Sequence, residues 1–136
     1  NGGLGNTFVE IDLTGQHMWY HKNGTIILES DIVSGTYNNP ERRTPAGTYY
    51  LYNKERNRTL RGTKKPDGTY EYETPVSYWM PFNKGIGLHD SSSWRSRWGG
   101  DIYMNNGSHG CINLPTSVAG QLYENIEINC PVVCYY

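Results

Sequence analysis

The stretch FVEIDLTGQHMWYHKNGTIILESD, residues 8–31, constrains the fold most. Val9, Ile11 and Leu13 alternate with Phe8, Glu10 and Asp12, the period of a strand with one buried face. The alternation breaks at Thr14-Gly15, resumes, breaks at Asn23-Gly24 and resumes again. Asn-Gly between two such runs signals a hairpin, because both residues tolerate the positive φ of a two-residue turn. The chain therefore opens as a strand meander. Sixteen Gly, seven Pro and twelve Tyr against two Phe also describe a turn-rich chain that favours strands over a helical bundle, so the expected class is mainly β.

Downstream, NNPERRTPAGTYYLYNKE reads as an ordered loop feeding a strand at Thr48 to Tyr52. RNRTLRGTKKPDGTYEYET is polar and basic, with Pro66-Asp67-Gly68 as a turn between two short strands, and reads as a surface hairpin or insertion. From Pro75 to Gly110 the chain is rich in Gly, Trp and Ser, with strand-like pieces only at Val76 to Met80 and Asp101 to Met104. Long irregular segments of this kind usually carry function. One helix is expected, about Pro115 to Ile126. Proline suits its first position, and Val118, Ala119, Leu122, Tyr123 and Ile126 form one apolar stripe. Gly120 weakens that helix by roughly 1 kcal/mol relative to Ala. INCPVVCYY reads as a terminal strand, and no repeat or low-complexity tract interrupts the pattern.

At 136 residues the chain fits a single domain, 1–136, with a real core. Twelve Lys and Arg face thirteen Asp and Glu, so no charge field invites nucleic acid. No apolar run approaches the roughly 20 residues of a membrane span. The opening NGGLGN has neither an initiator Met nor a signal-peptide pattern, as expected of a domain excised from a longer chain. Three cysteines cannot all pair within one chain. Cys130 and Cys134, four apart on a strand, would have Cα atoms about 13 Å apart, so they are expected to be small buried thiols.

The third cysteine stands in a different setting. NNGSHGCINLPTS places Cys111 behind a glycine and among hydrogen-bonding groups, where a thiol is more often a reagent than filler. Of four histidines, His17 and His21 in HMWYH lack the Glu and the helix of a zinc signature and read as solvated strand residues. His109, two residues from Cys111, would lie some 6 to 7 Å away on an extended segment and so could line the site without readily bonding the thiol. His89 in GIGLHDSSSW, brought from another strand, suits the role of general base, with Asp90 orienting it through its carbonyl or its carboxylate. Gly110 permits a tight turn in which the amides of His109, Gly110 and Cys111 converge as an oxyanion hole. This constellation serves acyl transfer. A metal site of His89, His109 and Cys111 is the competing chemistry, unsupported by any CxxC or HxxxH pair, and no cofactor is expected.

GLHD followed by SHGCINLP resembles the signature of the L,D-transpeptidase catalytic domain of the YkuD type. VEIDLTGQHMWYHKNG, VSGTYNNPERRTPAGTYYLYNKE, SYWMPFNKGIGLHD, GSHGCINLP and the closing PVV resemble successive blocks of that family in order, over nearly the whole chain. The resemblance implies a β-sandwich with one helix after the catalytic cysteine. It implies an enzyme in which Cys111 is the nucleophile, His89 its base, His109 and Ser108 line the site, and Asn113 fills a position that is Asn or Arg in relatives. Cys111 would attack a donor stem tetrapeptide of peptidoglycan, release D-Ala, and pass the acyl group to the side-chain amine of an acceptor's third residue, giving a 3-3 cross-link. Acylation by carbapenems is implied as well. WMPFNKGIGLHD with CINLP is similar to versions from Gram-positive bacteria, which implies an extracytoplasmic place at the wall. The chain departs from the family at Asn129-Cys130, where Gly-Thr is common, and at Cys134.

Around the motif, Tyr78, Trp79, Trp94 and Trp98 are candidates to hold a stem peptide or a sugar, and Asp90 and Asn113 to contact substrate. Arg95 and Arg97 are candidates for substrate carboxylates. A carboxypeptidase using water as acceptor and a non-catalytic wall-binding module are the rival readings.

Overall fold

The computed structural model describes residues 6–136. The NGGLG opening, read above as the start of an excised domain, lies outside the described residues. Strands β1 (Phe8–Asp12), β2 (His17–Lys22) and β3 (Thr25–Asp31) form the expected meander. Its second turn is Asn23-Gly24, with φ of 53° and 84°. Then come β4 (Gly47–Tyr50), β5 (Glu55–Arg61), β6 (Glu73–Asn83), β7 (Ile86–Asp90), α1 (Ile102–Asn106), β8 (Ile112–Leu114), α2 (Thr116–Asn125) and β9 (Pro131–Tyr135).

Two sheets result, one in the order β3-β2-β1-β9-β4 and the other β5-β6-β7-β8. All neighbours are antiparallel except β1–β9 and β7–β8. The inward residues of the meander, Val9, Ile11, Met18 and Tyr20, join Val132 and Cys134 of β9 in one core with Met80, Leu88, Ile112 and Leu114 of the second sheet. The chain is a mainly β sandwich, and α2 closes the core with Ala119 and Leu122. At roughly 25 cal/mol per Å² of apolar surface removed from water, these fully buried side chains are the main stabilising term.

Two local expectations need correction. Residues 101–104 were expected as strand, yet Ile102–Asn106 is a one-turn helix. A short apolar run does not reveal its period. Here the carbonyls of Tyr103 and Met104, which a helix end leaves without intrahelical partners, accept N–H groups of Tyr37 and Asn38 at 2.9 and 3.0 Å. Pro115 is the N-cap of α2 rather than its first residue: ψ is 143°, and its carbonyl accepts the Ala119 N–H at 3.0 Å. The orphan Thr116 N–H is satisfied from outside the helix, by Ser92 Oγ at 2.9 Å.

The PDG hairpin joins β5 to a β6 much longer than its strand-like core, because both strands extend into the second sheet. His17 and His21 lie on β2 as expected, but they are paired rather than merely solvated. His17 sits 2.9 Å from both Asp31 and Glu29, and His21 2.9 Å from Glu10.

Candidate active site

Parallel pairing of β7 with β8 puts His89 opposite Asn113, with Cys111 one residue before β8. The other side of the motif is stitched to residues 33–36. Val33 and Asn113 exchange N–H···O bonds of 3.1 and 2.8 Å, Ser108 N–H donates to Ser34 O at 2.9 Å, and Thr36 N–H donates to Ser108 O at 3.0 Å. Glycine is required at 110 by its φ of 133°. The SHGC loop is therefore held by backbone bonds between two parts of the chain remote in sequence.

His89 is buried, and its Nδ1 lies 2.8 Å from the Asp90 carbonyl oxygen. A carbonyl only accepts, so Nδ1 carries the proton and Nε2 presents its lone pair. Asn113 Nδ2 lies 3.4 Å from Nε2, and Arg95 Nε donates to Asn113 Oδ1 at 2.8 Å, which settles the end of the amide that faces His89. Trp79 and Trp94 flank the imidazole at centroid distances of 5.9 and 6.0 Å. Burial holds the His89 pKa below its ordinary 6.5, against the opposing pull of the Asp90 carbonyl and charge.

Cys111 is half-buried, and burial pushes its thiol up to about 11, opposed by the Gly87 N–H. Its Sγ is 3.6 Å from Gly85 O. The resting pair is thus a neutral thiol and a neutral imidazole with a basic nitrogen, both lining one pocket. No preformed thiolate–imidazolium pair is favoured at this site.

Ser108 and His109 also line this pocket. Ser108 Oγ accepts the Gly110 N–H at 3.0 Å and donates to Cys111 O at 2.5 Å, so it braces the loop's backbone. The Gly110 N–H is thereby engaged within the loop, one of the three amides that the sequence offered to an oxyanion. His109 is exposed and meets Tyr72 edge-on at 4.5 Å. Burial and the Arg42 charge lower its pKa, with Glu71 opposing.

Several sequence candidates stand elsewhere. Tyr78 turns to the far face of β6, packing on Tyr123 at 5.4 Å under the Arg56 guanidinium. Its hydroxyl lies against Gly120, where a Cβ would come within 3.1 Å, which explains glycine inside α2. The Asp90 carboxylate accepts the Ser77 and Tyr78 N–H groups at 2.9 and 2.8 Å and orients His89 through its backbone alone. Trp98 donates to Ser91 Oγ and, with Arg97, lines a separate depression. Conversely, Leu60, Tyr72 and Thr74 of the β5–β6 hairpin line the pocket, although that hairpin read as surface. The alternating TYEYET was the one available signal. Cys130 and Cys134 are free and buried, as expected. Among the described residues, no group of three or more His, Cys, Asp or Glu side chains could hold a metal ion.

A family model of the L,D-transpeptidase catalytic domain (YkuD) matches residues 6–134. No match was found among curated proteins. Among solved structures, a cysteine-to-serine mutant of Enterococcus faecium L,D-transpeptidase is 48% identical, with a TM-score of 0.85 over 96% of this chain and 50% of that one. The E. faecium catalytic domain acylated by ertapenem is 49% identical, with a TM-score of 0.80 over 96% of this chain and 98% of that one. L,D-transpeptidase 3 from Mycobacterium tuberculosis, at 20% identity and a TM-score of 0.73 over 96% of this chain and 61% of that one, shares the fold. This chain thus spans about half the length of the crystallised E. faecium enzyme and nearly all of its catalytic domain. With the family match covering the sandwich and the Cys111–His89 pocket together, the chain belongs to the L,D-transpeptidase catalytic domain family.

Proposed function

We propose that this domain transfers acyl groups between peptidoglycan stem peptides through a thioester on Cys111, at the extracytoplasmic wall of a Gram-positive bacterium. The observation that carries the reading is the tautomer of His89. With Nδ1 tied to the Asp90 carbonyl, Nε2 is left unprotonated in the pocket that Cys111 also lines, its lone pair reached at rest only by the long 3.4 Å contact of the Asn113 amide. As Sγ attacks the carbonyl between the donor's third residue and its terminal D-Ala, His89 takes the thiol proton and the amides of Cys111 and His109 receive the oxyanion. Collapse breaks the C–N bond, and His89 returns the proton to the departing D-Ala amine. The acceptor's side-chain amine then attacks the thioester, His89 takes a proton from that amine and delivers it to the departing sulfur as the C–S bond breaks, and the thiol is restored with a 3-3 cross-link formed. Ser108 holds the loop, and Asn113 and Trp94 line the wall beside the base. Trp79 backs His89 from beneath.

Ertapenem, which acylates the E. faecium catalytic domain, supplies the test. Intact-mass spectrometry is expected to show one adduct on the wild type and none on Cys111→Ala. A folded wild type with no adduct would remove the acyl-transfer reading and leave the wall-binding module.

A further inference from the structure

Thr44 lies in the loop ahead of β4, completely buried, and none of the chemistry above uses it. Its Oγ1 accepts the Gly35 N–H at 2.8 Å and donates to the Gly110 carbonyl at 2.7 Å. A hydroxyl has one proton, so that donor is committed to Gly110. Tyr136 steadies the threonine in turn, its hydroxyl donating to Thr44 O at 2.5 Å. The approach is as close as backbone allows: a Cβ on Gly35 would stand 2.9 Å from Gly110 Cα and 1.8 Å from Arg42 O.

The Gly110 carbonyl shares a planar, trans peptide group with the Cys111 N–H, and the two bonds point opposite ways. Whatever holds the carbonyl therefore aims the amide. Local preference does not hold it, since glycine leaves the backbone free to choose among several orientations. We infer that Thr44 is a positioning residue for acyl transfer, its hydroxyl fixing the plane of the Gly110–Cys111 peptide so that the Cys111 amide meets the developing oxyanion. This rests on the acyl-transfer reading above. The contact gives the loop around Arg42 to Thr44 a direct grip on the nucleophile's own amide, independent of the His89 side of the pocket.

The test compares two reactions of one thiol. Acylation by ertapenem develops an oxyanion, whereas alkylation by iodoacetamide displaces iodide from a saturated carbon and develops none. In Thr44→Val the acylation rate is expected to fall on the order of tenfold to hundredfold, with alkylation within about twofold of wild type. The backbone ¹⁵N–¹H signal of Cys111 is expected to move, and Thr44→Ser, which keeps the hydroxyl, to restore acylation. Tyr136→Phe, at a residue 44% exposed and so tolerant of change, is expected to show the same selective loss at smaller size even if Thr44→Val does not fold. Parallel losses in both reactions, or acylation unchanged, would overturn the inference. A wild type that ertapenem leaves untouched would remove the acyl-transfer reading alone. The Cys111 signal in Thr44→Val would then decide the Thr44 contact, an unmoved signal overturning it and a shifted one upholding it.

Discussion

His17 and His89 both sit on strands beside acceptors, yet their surroundings push the two imidazoles in opposite directions. His17, on the outer face of the first sheet, loses some basicity to desolvation. The hydrogen bonds and charges of Asp31 and Glu29 outweigh that loss and place its pKa above 6.5. His89, inside the second sheet, faces a neutral carbonyl, and burial wins, keeping it uncharged. Only the second arrangement leaves the ring neutral, with Nε2 unprotonated and facing the pocket side chain of Asn113. The cysteines make the same point. Burial raises Cys111 to about 11 and Cys134 to about 12, but Cys134 packs in the core while Cys111 opens onto a pocket that His89 also lines. A shifted pKa by itself does not separate the two thiols; the pocket that one of them lines does.

The sharpest way to break this contrast is to remove each imidazole. His89→Ala is expected to slow ertapenem acylation by roughly 10²- to 10⁴-fold, the usual worth of a general base, and His17→Ala to leave it within about twofold. Equal effects would erase the distinction. Next in size is the core beneath the base. Leu88→Ala is expected to destabilise by about 2–5 kcal/mol in denaturant titration, because Leu88 is wholly buried. Ile27→Ala, 45% exposed on β3, is expected to change stability by about 0.5 kcal/mol or less.

The pH dependences should carry opposite signs. His89, depressed below 6.5, accepts protons more readily in the unfolded chain, so its contribution to stability is lost as pH falls below 6.5. Acylation should fall over the same acidic range as the base becomes charged. His17, raised above 6.5, contributes stability that is fully present below 6.5 and lost as pH rises through its folded pKa. Thermal melts of His17→Gln across pH 5 to 9 should lack that alkaline loss. Smallest is the exposed Arg61–Glu73 pair on the β5–β6 hairpin, where Arg61→Ala should cost about 0–1 kcal/mol by the same titration.

Much of this was legible in the chain. Alternation at Val9, Ile11 and Leu13 and the Asn23-Gly24 turn announce the meander, because strand period and positive φ are local properties that residue types reveal directly. His89 and Cys111 are chemically conspicuous in any context. Tyr78 packs on Tyr123 and not in the pocket because one residue of register on β6 decides which face a side chain occupies, and an isolated strand does not reveal its register. Residues 101–104 were misread as strand because the partners of the helix-end carbonyls, Tyr37 and Asn38, lie some 65 residues earlier.

The sequence by itself determined the β class, the helix after the motif, and the thiol and imidazole available for chemistry, since these follow from periodicity and from side-chain reactivity. Tertiary structure alone decided that Asp90 orients His89 through its carbonyl, that Arg95 turns Asn113 toward His89, that Tyr72 lines the pocket, and that Thr44 grips the Gly110 carbonyl. Each of those depends on which groups meet across strands and loops far apart in the chain. A hydrogen bond is specified by distances of about 3 Å that only the assembled fold supplies.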